Sequence, residues 1–285
     1  NSTLDLNPKI RFELEIHNYV PLWLWDYLRR SGMDGFMVPL SGGLDSSSVV
    51  VLIYSMCCQL YKMRNSSTVG HYFSKCLRMP IEQIDQELTS PEKICSILLK
   101  CRYLSTQYSG QETQIRARKL CSSIGANYDV VSIHGVFNNC RQLVGRQPDD
   151  QVDLLDQNIQ ARLRLAMTYY MSEGNRIVLA TGNVDEAIMG YLTKYDCSSA
   201  DINPIGGLCK ADLKNYLRFC CTDLFKNKPE LVDVLHRVID APPSAELTGE
   251  EQRDEDEIGI TYDEISVFGR VRRGTYGCSG PLGAF

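Results

Sequence analysis

The chain has 285 residues, 44% of them hydrophobic and 23% charged, with a formal net charge of −5. That length allows one large core, or one domain with an appendage, and the composition is that of an ordinary globular protein. The negative balance argues against a general nucleic-acid binder, and no apolar run reads as long enough to span a bilayer, so neither a nucleic-acid nor a membrane partner is expected.

Residues 10–30 carry Leu14, Ile16, Tyr19, Val20, Trp23, Leu24, Tyr27 and Leu28 at helical spacing, and Pro21 predicts a kink or a break between two helices. An apolar strand over 36–40 enters Ser41-Gly42-Gly43-Leu44-Asp45-Ser46-Ser47, and an apolar helix runs on to about Met63. Residues 65–90 read as loops with a short helix. A helix over 91–100 has Pro91 in its first turn. A short strand over 103–106, an amphipathic helix over 111–124 closed by Gly125, a strand over 128–133 and a helix over 136–144 follow. Beyond a polar break at 145–153 come a strong helix (154–172), an apolar strand (176–181), a helix (184–192) and a loop (198–207). Helices over 211–225 and 230–238, an acidic loop over 241–257 and a last helix over 261–271 complete the domain, which is placed at 1–272. Residues 273–285, rich in Gly and Ser at their start, read as a loosely held end. The acidic run 250–257 and the basic cluster Arg270, Arg272, Arg273 read as solvated surface.

Strands alternating with helices, each strand a short apolar run, predict an α/β fold: a doubly wound parallel sheet with helices on both faces. Ligands bind beyond the carboxyl ends of the strands in such sheets, which is where the 41–47 loop and Thr181-Gly182 fall. The twelve cysteines include the adjacent pairs Cys57-Cys58 and Cys220-Cys221 but no Cys-x-x-Cys. Reduced core thiols and a cytoplasmic setting are therefore expected.

The loop is the chemical signal. Adjacent glycines let successive N–H groups turn inward to meet an anion, and the helix behind them adds unpaired N–H groups and a positive dipole end. Ser41, Ser46 and Ser47 can add hydroxyl donors. Asp45 would repel a phosphate unless it holds Mg²⁺ that bridges to it. The loop therefore reads as a pyrophosphate and magnesium site for ATP. No Lys follows the glycines, so this is not a Walker A loop, and no Gly-x-Gly-x-x-Gly follows a strand. Ser41-Gly42-Gly43-Leu44-Asp45-Ser46 resembles the PP-loop of enzymes that split ATP between its α and β phosphates to adenylate a substrate.

Three further blocks carry polar residues. Asn158 and Arg162 share a helical face while Arg164 points elsewhere; by themselves they suit phosphate, carboxylate or ribose as well as an ordinary solvated helix. Glu186, early in the helix after Ala180-Thr181-Gly182-Asn183, suits either a second Mg²⁺ ligand opposite Asp45 or an acid favoured by the helix dipole. The block from Gly190 to Lys210 offers Lys194, Lys210, Asp196 and Asp201, compatible with a charged ligand and not diagnostic of one.

Taken in order, these blocks resemble the NAD synthetase family. Thr193-Lys194-Tyr195-Asp196-Cys197-Ser198-Ser199-Ala200-Asp201-Ile202-Asn203-Pro204-Ile205-Gly206-Gly207 is most similar to the synthetase part of the eukaryotic glutamine-dependent enzymes. Pro243-Ser244-Ala245-Glu246-Leu247 and the stretch from Gln252 to Tyr262 resemble later family segments, so the likeness spans about 10–272. The resemblance implies the PP-loop, adenine nucleotide alpha hydrolase-like fold and a two-step ligase reaction. Deamido-NAD attacks the α-phosphate of ATP through its nicotinate carboxylate, pyrophosphate leaves, and ammonia displaces AMP to give NAD⁺. It implies that Ser41, Gly42, Gly43, Ser46 and Ser47 hold pyrophosphate, that Asp45 and Glu186 ligate Mg²⁺, and that Arg164 and Thr181 contact ATP. Lys210 and Ser244 would stabilise developing phosphate charge, and Asn158, Arg162, Lys194 and Asp201 would hold deamido-NAD. A homodimer or larger oligomer is implied, because a second subunit completes that site.

Glutamine-dependent relatives carry an upstream glutaminase domain with a Cys nucleophile. No cysteine here has that setting, so these residues are expected to use free ammonia unless such a domain is supplied. The segment 145–153 is shorter than the family pattern, and the end lacks its Lys/Arg-rich tail. The rival readings are another PP-loop enzyme (GMP synthetase, asparagine synthetase or a tRNA-modifying enzyme) and a non-catalytic nucleotide-binding module.

Overall fold

Residues 11–147, 150–242, 259–262 and 264–267 are described by the structure, a computed structural model. In chain order the helices are α1 (Phe12–Ser31), α2 (Leu44–Lys62), α3 (Ser67–Leu77), α4 (Ile81–Glu87), α5 (Pro91–Leu98) and α6 (Gln111–Ile124). Then come α7 (His134–Leu143), α8 (Leu154–Met171), α9 (Val184–Met189), α10 (Lys210–Phe219) and α11 (Pro229–Asp240). The strands β1 (Phe36–Pro39), β2 (Leu99–Ser105), β3 (Asn127–Ser132) and β4 (Ile177–Val178) form one parallel sheet in the order β3-β2-β1-β4. Phe36 pairs with Leu99 on one side and with Ile177 on the other. The chain winds outward from β1 to β3 and then crosses to the far side of β1 for β4. The order thus reverses between β1 and β4, the position where open α/β sheets bind ligands.

Alternation along β1 builds two layers. Phe36, Val38 and Leu40 join the large core, with Leu24 and Leu28 of α1, the apolar body of α2, Leu120 of α6, Tyr216 of α10 and Val234 of α11. Met37 points to the opposite face and meets Leu165 of α8 and Val178 of β4. Helices thus cover both faces, as expected, but the layers are unequal. α7, its C-cap Val144 and α8 leave Leu143, Val144, Leu154, Leu155 and Tyr170 exposed.

Several elements depart from the sequence reading. α1 is continuous through Pro21, which is buried. A proline strands the carbonyl four residues earlier, and Gln59 of α2 takes that orphan, donating to the His17 carbonyl at 2.9 Å. Residues 65–90 hold two helices instead of one. Ser66 caps α3 by accepting from the Val69 N–H, and α3 and α4 each bury only a few apolar side chains (Val69 and Phe73, then Ile84), too sparse a stripe to read as periodic. β2 starts at Leu99, immediately after α5 and earlier than 103, because Lys100 and Arg102 alternate with buried Leu99, Cys101 and Tyr103 between two paired neighbours.

β4 is shorter than its apolar run, since the 198–207 loop takes over its outer edge. The Asp201 N–H donates to the Val178 carbonyl at 3.1 Å, and the Asp201 carboxylate accepts from the Val178 N–H at 2.8 Å. α2 is, contrary to the sequence reading, long and apolar enough to cross a membrane by length and composition; 72% of that window is buried inside the fold. The described cysteines are free thiols, with Cys57, Cys95, Cys101, Cys121, Cys209, Cys220 and Cys221 buried.

A polar joint ties α2, α5 and α11's leading loop. The Tyr54 hydroxyl donates to Glu92 at 2.6 Å, and Lys228 closes on the same carboxylate oxygen. Burial raises the Glu92 carboxyl, but these bonds outweigh it and bring it from 4.5 down to about 2. The stabilisation is complete above about pH 4.5 and is lost as pH falls through about 2, with solvent screening part of it. Glu92→Ala is expected to cost about 1–2 kcal/mol at pH 7, by stranding the buried Tyr54 hydroxyl. Urea unfolding at pH 7 and pH 3 checks both statements; an unchanged midpoint at pH 7 contradicts them.

Candidate active site

Beyond the carboxyl end of β1 the chain turns sharply through Gly42, at φ +78. A Cβ on Gly42 would lie 2.2 Å from the Thr113 carbonyl of α6, so only glycine fits. The turn is braced from both sides. Ser41 and Ser46 hydroxyls meet at 2.9 Å, the Gly43 N–H donates to Ser41 Oγ at 3.2 Å, and Arg116 Nε donates to the Gly42 carbonyl at 3.1 Å. Gly43 is the N-cap of α2 and offers no side chain to the first-turn N–H groups. Those donors, with the positive end of a 19-residue helix, face the ligand end of the sheet. Ser41 and Gly43 thus sit at the loop surface. Ser47 is fully buried, and its hydroxyl has no hydrogen-bond partner among the described residues.

Across the switch point, β4 ends at Val178, the chain passes through Ala180 and Thr181, and α9 begins at Val184. Asn183 caps α9: its Oδ1 accepts from the N–H groups of Asp185 and Glu186, while Glu186 Oε2 accepts from the Asn183 N–H at 3.3 Å. The other end of the same side chain reaches α2, donating from Nδ2 to Asp45 Oδ1 at 2.9 Å. Asn183 therefore touches both acids proposed as metal ligands, the Asp45 carboxylate through its side chain and the Glu186 carboxylate through its backbone N–H. The acids converge on one cation. Lys210 Nζ lies 3.4 Å from Glu186 Oε1 and 3.9 Å from Asp45 Oδ2, and 3.6 Å from the centre of the Tyr262 ring. The Lys210 side chain is only 5% exposed, the acids 18% and 21%. Two partly exposed carboxylates already gathered about one positive charge are a donor set that suits Mg²⁺, which commonly takes one or two carboxylates plus substrate phosphates. Burial pushes the neighbouring Asp185 carboxyl above its ordinary value, against the opposing hydrogen bonds from Lys210 N–H and Ser266.

The residues expected to hold deamido-NAD divide. Asn158 and Arg162, on one face of α8, both meet the 190–198 loop. Thr193 Oγ1 donates to Asn158 Oδ1 at 2.7 Å, and Arg162 Nε donates to the Lys194 carbonyl at 2.9 Å. Lys194 lies over the Tyr195 ring at 5.0 Å. Asp201 is engaged within the fold: one oxygen accepts from Val178 N–H and the other from the Tyr169 hydroxyl at 2.8 Å. Arg164 turns the other way, donating to Gln160 at 3.1 Å, and Gln160 also accepts from Thr106 at the end of β2. Thr181 is anchored through its N–H to the Cys197 carbonyl at 3.0 Å. Ser244, the rest of 243–258 and the basic cluster at 270–273 lie outside the described residues.

Sequence reasoning missed Asn183, Asp185, Arg116 and Tyr262. Only Asn183 had a local signal, since Asn followed three residues later by Glu has the spacing of a reciprocal N-cap. Asn183→Ala is expected to cost about 1 kcal/mol, or about 2–4 °C in melting temperature, through the lost cap. It should also weaken Mg²⁺-nucleotide binding by releasing Asp45. Calorimetry with and without the nucleotide reads both, and unchanged binding contradicts the bridging role.

The family description NAD synthase matches residues 16–269. The chain is 38% identical over 279 residues to the glutamine-dependent NAD(+) synthetase of Macaca fascicularis, covering 88% of this chain and 38% of that protein. It is also 38% identical to the Drosophila melanogaster protein of the same name, covering 100% of this chain and 38% of that protein. The chain thus spans less than half the length of these curated relatives. Among solved structures, an NMN synthetase from Francisella tularensis superposes with a TM-score of 0.67 at 23% identity, over 94% of this chain and 90% of the other. A glutamine-dependent NAD(+) synthetase from Cytophaga hutchinsonii gives 0.67 at 23% identity, over 92% and 48%. These two likenesses concern the fold.

Proposed function

The chain belongs to the NAD synthase family, and from that premise we propose that it converts deamido-NAD to NAD⁺ with ATP and ammonia. The observation that carries this reading is the convergence of Asp45 and Glu186 on Lys210 beside the uncapped start of α2. Oxygen of the nicotinate carboxylate attacks the α-phosphorus of ATP, and the bond to the β-phosphate oxygen breaks. Pyrophosphate leaves with that electron pair, held by the first-turn N–H groups of α2 and the Ser41 and Ser46 hydroxyls. Ammonia then attacks the acyl carbon, AMP departs with the bonding pair, and the amide nitrogen sheds its proton. Mg²⁺ held by Asp45 and Glu186 would supply positive charge to the phosphates. Lys210 donates to phosphate oxygen as charge accumulates there. Nothing in the sequence of steps requires a covalent enzyme intermediate; orientation and charge neutralisation suffice.

Asn158, Arg162 and Lys194 hold deamido-NAD in this reading, Arg164 and Thr181 lie on the ATP side, and Asp201 acts by positioning the loop. Free ammonia is the nitrogen source for these residues, and glutamine would require a glutaminase domain. The exposed apolar residues of α7 and α8 support a homodimer through that face. α8 also carries Asn158 and Arg162, so a second copy there would lie beside the deamido-NAD residues.

Pyrophosphate release dependent on Mg²⁺, deamido-NAD and ammonium together is the expected result, with sedimentation reporting a dimer. Release with another acceptor in place of deamido-NAD selects a different PP-loop enzyme. Failure to release pyrophosphate with any acceptor overturns the enzymatic reading for these residues.

A further inference from the structure

The buried carboxylate of Asp185 joins three elements that meet at the cation. It belongs to the first turn of α9, next to Glu186. Its Oδ2 accepts from the Lys210 backbone N–H, the first residue of α10, at 2.8 Å, and from the Ser266 hydroxyl at 3.3 Å. Ser266 lies on the short helical segment that also carries Tyr262, four residues earlier and so on the same face. Tyr262 is the ring packed against Lys210 Nζ. Asp185 is wholly buried, and its second oxygen has no partner among the described residues.

A buried acid is costly unless its bonds fix something. The α10 start does not need Asp185 for ordinary capping. Cys209 Sγ already accepts from the Asp212 N–H, and the Cys209 N–H donates in return to the Asp212 carboxylate at 3.2 Å. What Asp185 adds is the link from α9 to α10 and to the Tyr262 segment, which sets where Lys210 Nζ stands between Glu186 and Asp45. We propose that Asp185 is a positioning residue: by accepting the Lys210 N–H and the Ser266 hydroxyl, it locks the Lys210 ammonium and the Tyr262 ring in register with Glu186. The role is geometric and needs an acceptor oxygen at that place. It rests on the amidation reading only for its effect on rate.

Asp185→Ala, Asp185→Asn and Glu92→Ala are compared in the full chain. Displacement of Lys210 should lower kcat for pyrophosphate release about 100-fold in Asp185→Ala, with KM for ATP within about threefold. Asp185→Asn keeps an acceptor oxygen and should stay within about fivefold of the unsubstituted kcat. Glu92→Ala, destabilised far from the site, should keep kcat within about twofold, separating stability from positioning. Hydrogen exchange at the Lys210 backbone amide reads the link without turnover. Its protection should fall by about tenfold or more in Asp185→Ala and persist in Asp185→Asn. The proposal is overturned by an unchanged kcat in Asp185→Ala, by an asparagine variant as impaired as the alanine one, or by unchanged amide protection. If the unsubstituted chain releases no pyrophosphate, the amidation reading falls, and amide protection alone decides the link.

Discussion

Asp45→Asn is expected to leave the fold intact and to lower adenylation by on the order of 10³-fold or more. Asparagine has the same shape and keeps an oxygen to accept from Asn183 Nδ2, now 2.9 Å away. The side chain is 18% exposed, so no new buried group is stranded. Its stability cost is the lost carboxylate at the start of α2, about 0.3–1 kcal/mol. The catalytic cost is far larger. Without the charge, one of the two acids that gather a cation at the phosphate loop is gone, and the other must hold it alone. Circular dichroism should superpose on that of the unsubstituted chain while pyrophosphate release disappears into background at millimolar Mg²⁺. Normal turnover by Asp45→Asn would refute its metal role.

Lys210→Met should lower kcat and kcat/KM together by about 10²–10³-fold, the pattern for an interaction strongest in the transition state. Methionine retains the apolar packing against Tyr262 but removes the charge 3.4 Å from Glu186. The two acids then face each other without their shared cation. Full burial would put the penalty for breaking such a pair at about 3–5 kcal/mol; their partial exposure reduces it to about 1–3 kcal/mol. Mg²⁺ should partly offset that loss, so the melting temperature of Lys210→Met should rise more steeply with Mg²⁺ than that of the unsubstituted chain. Arginine should not rescue activity, because a planar fork does not occupy the position of a compact ammonium. A kcat within threefold of the starting value would remove Lys210 from the reaction.

The strand, glycine turn and helix over 36–63 were legible because each signal is local. The same holds for α6 with its closing glycine and for α8, whose start is a reciprocal Asp153–Asp156 cap. Short helices α3 and α4 were not legible, since their buried faces hold too few apolar residues to show a period. Pro21 misled for a different reason: the group that spares α1 from breaking, Gln59, is on another helix.

The candidate site divides along the same line. Ser41, Gly42, Gly43 and Asp45 read in the sequence as a phosphate loop because adjacent glycines permit a tight turn that feeds the N-terminus of a helix. Glu186 was readable from the residues as a second metal ligand opposite Asp45 or an acid favoured by the helix dipole, while Lys210 was reachable only through the family resemblance, as a group that stabilises phosphate charge. By itself, the sequence determined the α/β class, the loop and the kinds of polar group available to it. Only the tertiary structure decided that Asn183 bridges Asp45 to Glu186, that Asp201 spends both oxygens inside the fold, and that Asp185 ties Lys210 to Tyr262. These bonds join residues tens to more than a hundred positions apart, and no periodicity or spacing along a chain encodes such a distance. They exist because the strand order reverses between β1 and β4, bringing the starts of α2 and α9 to one place.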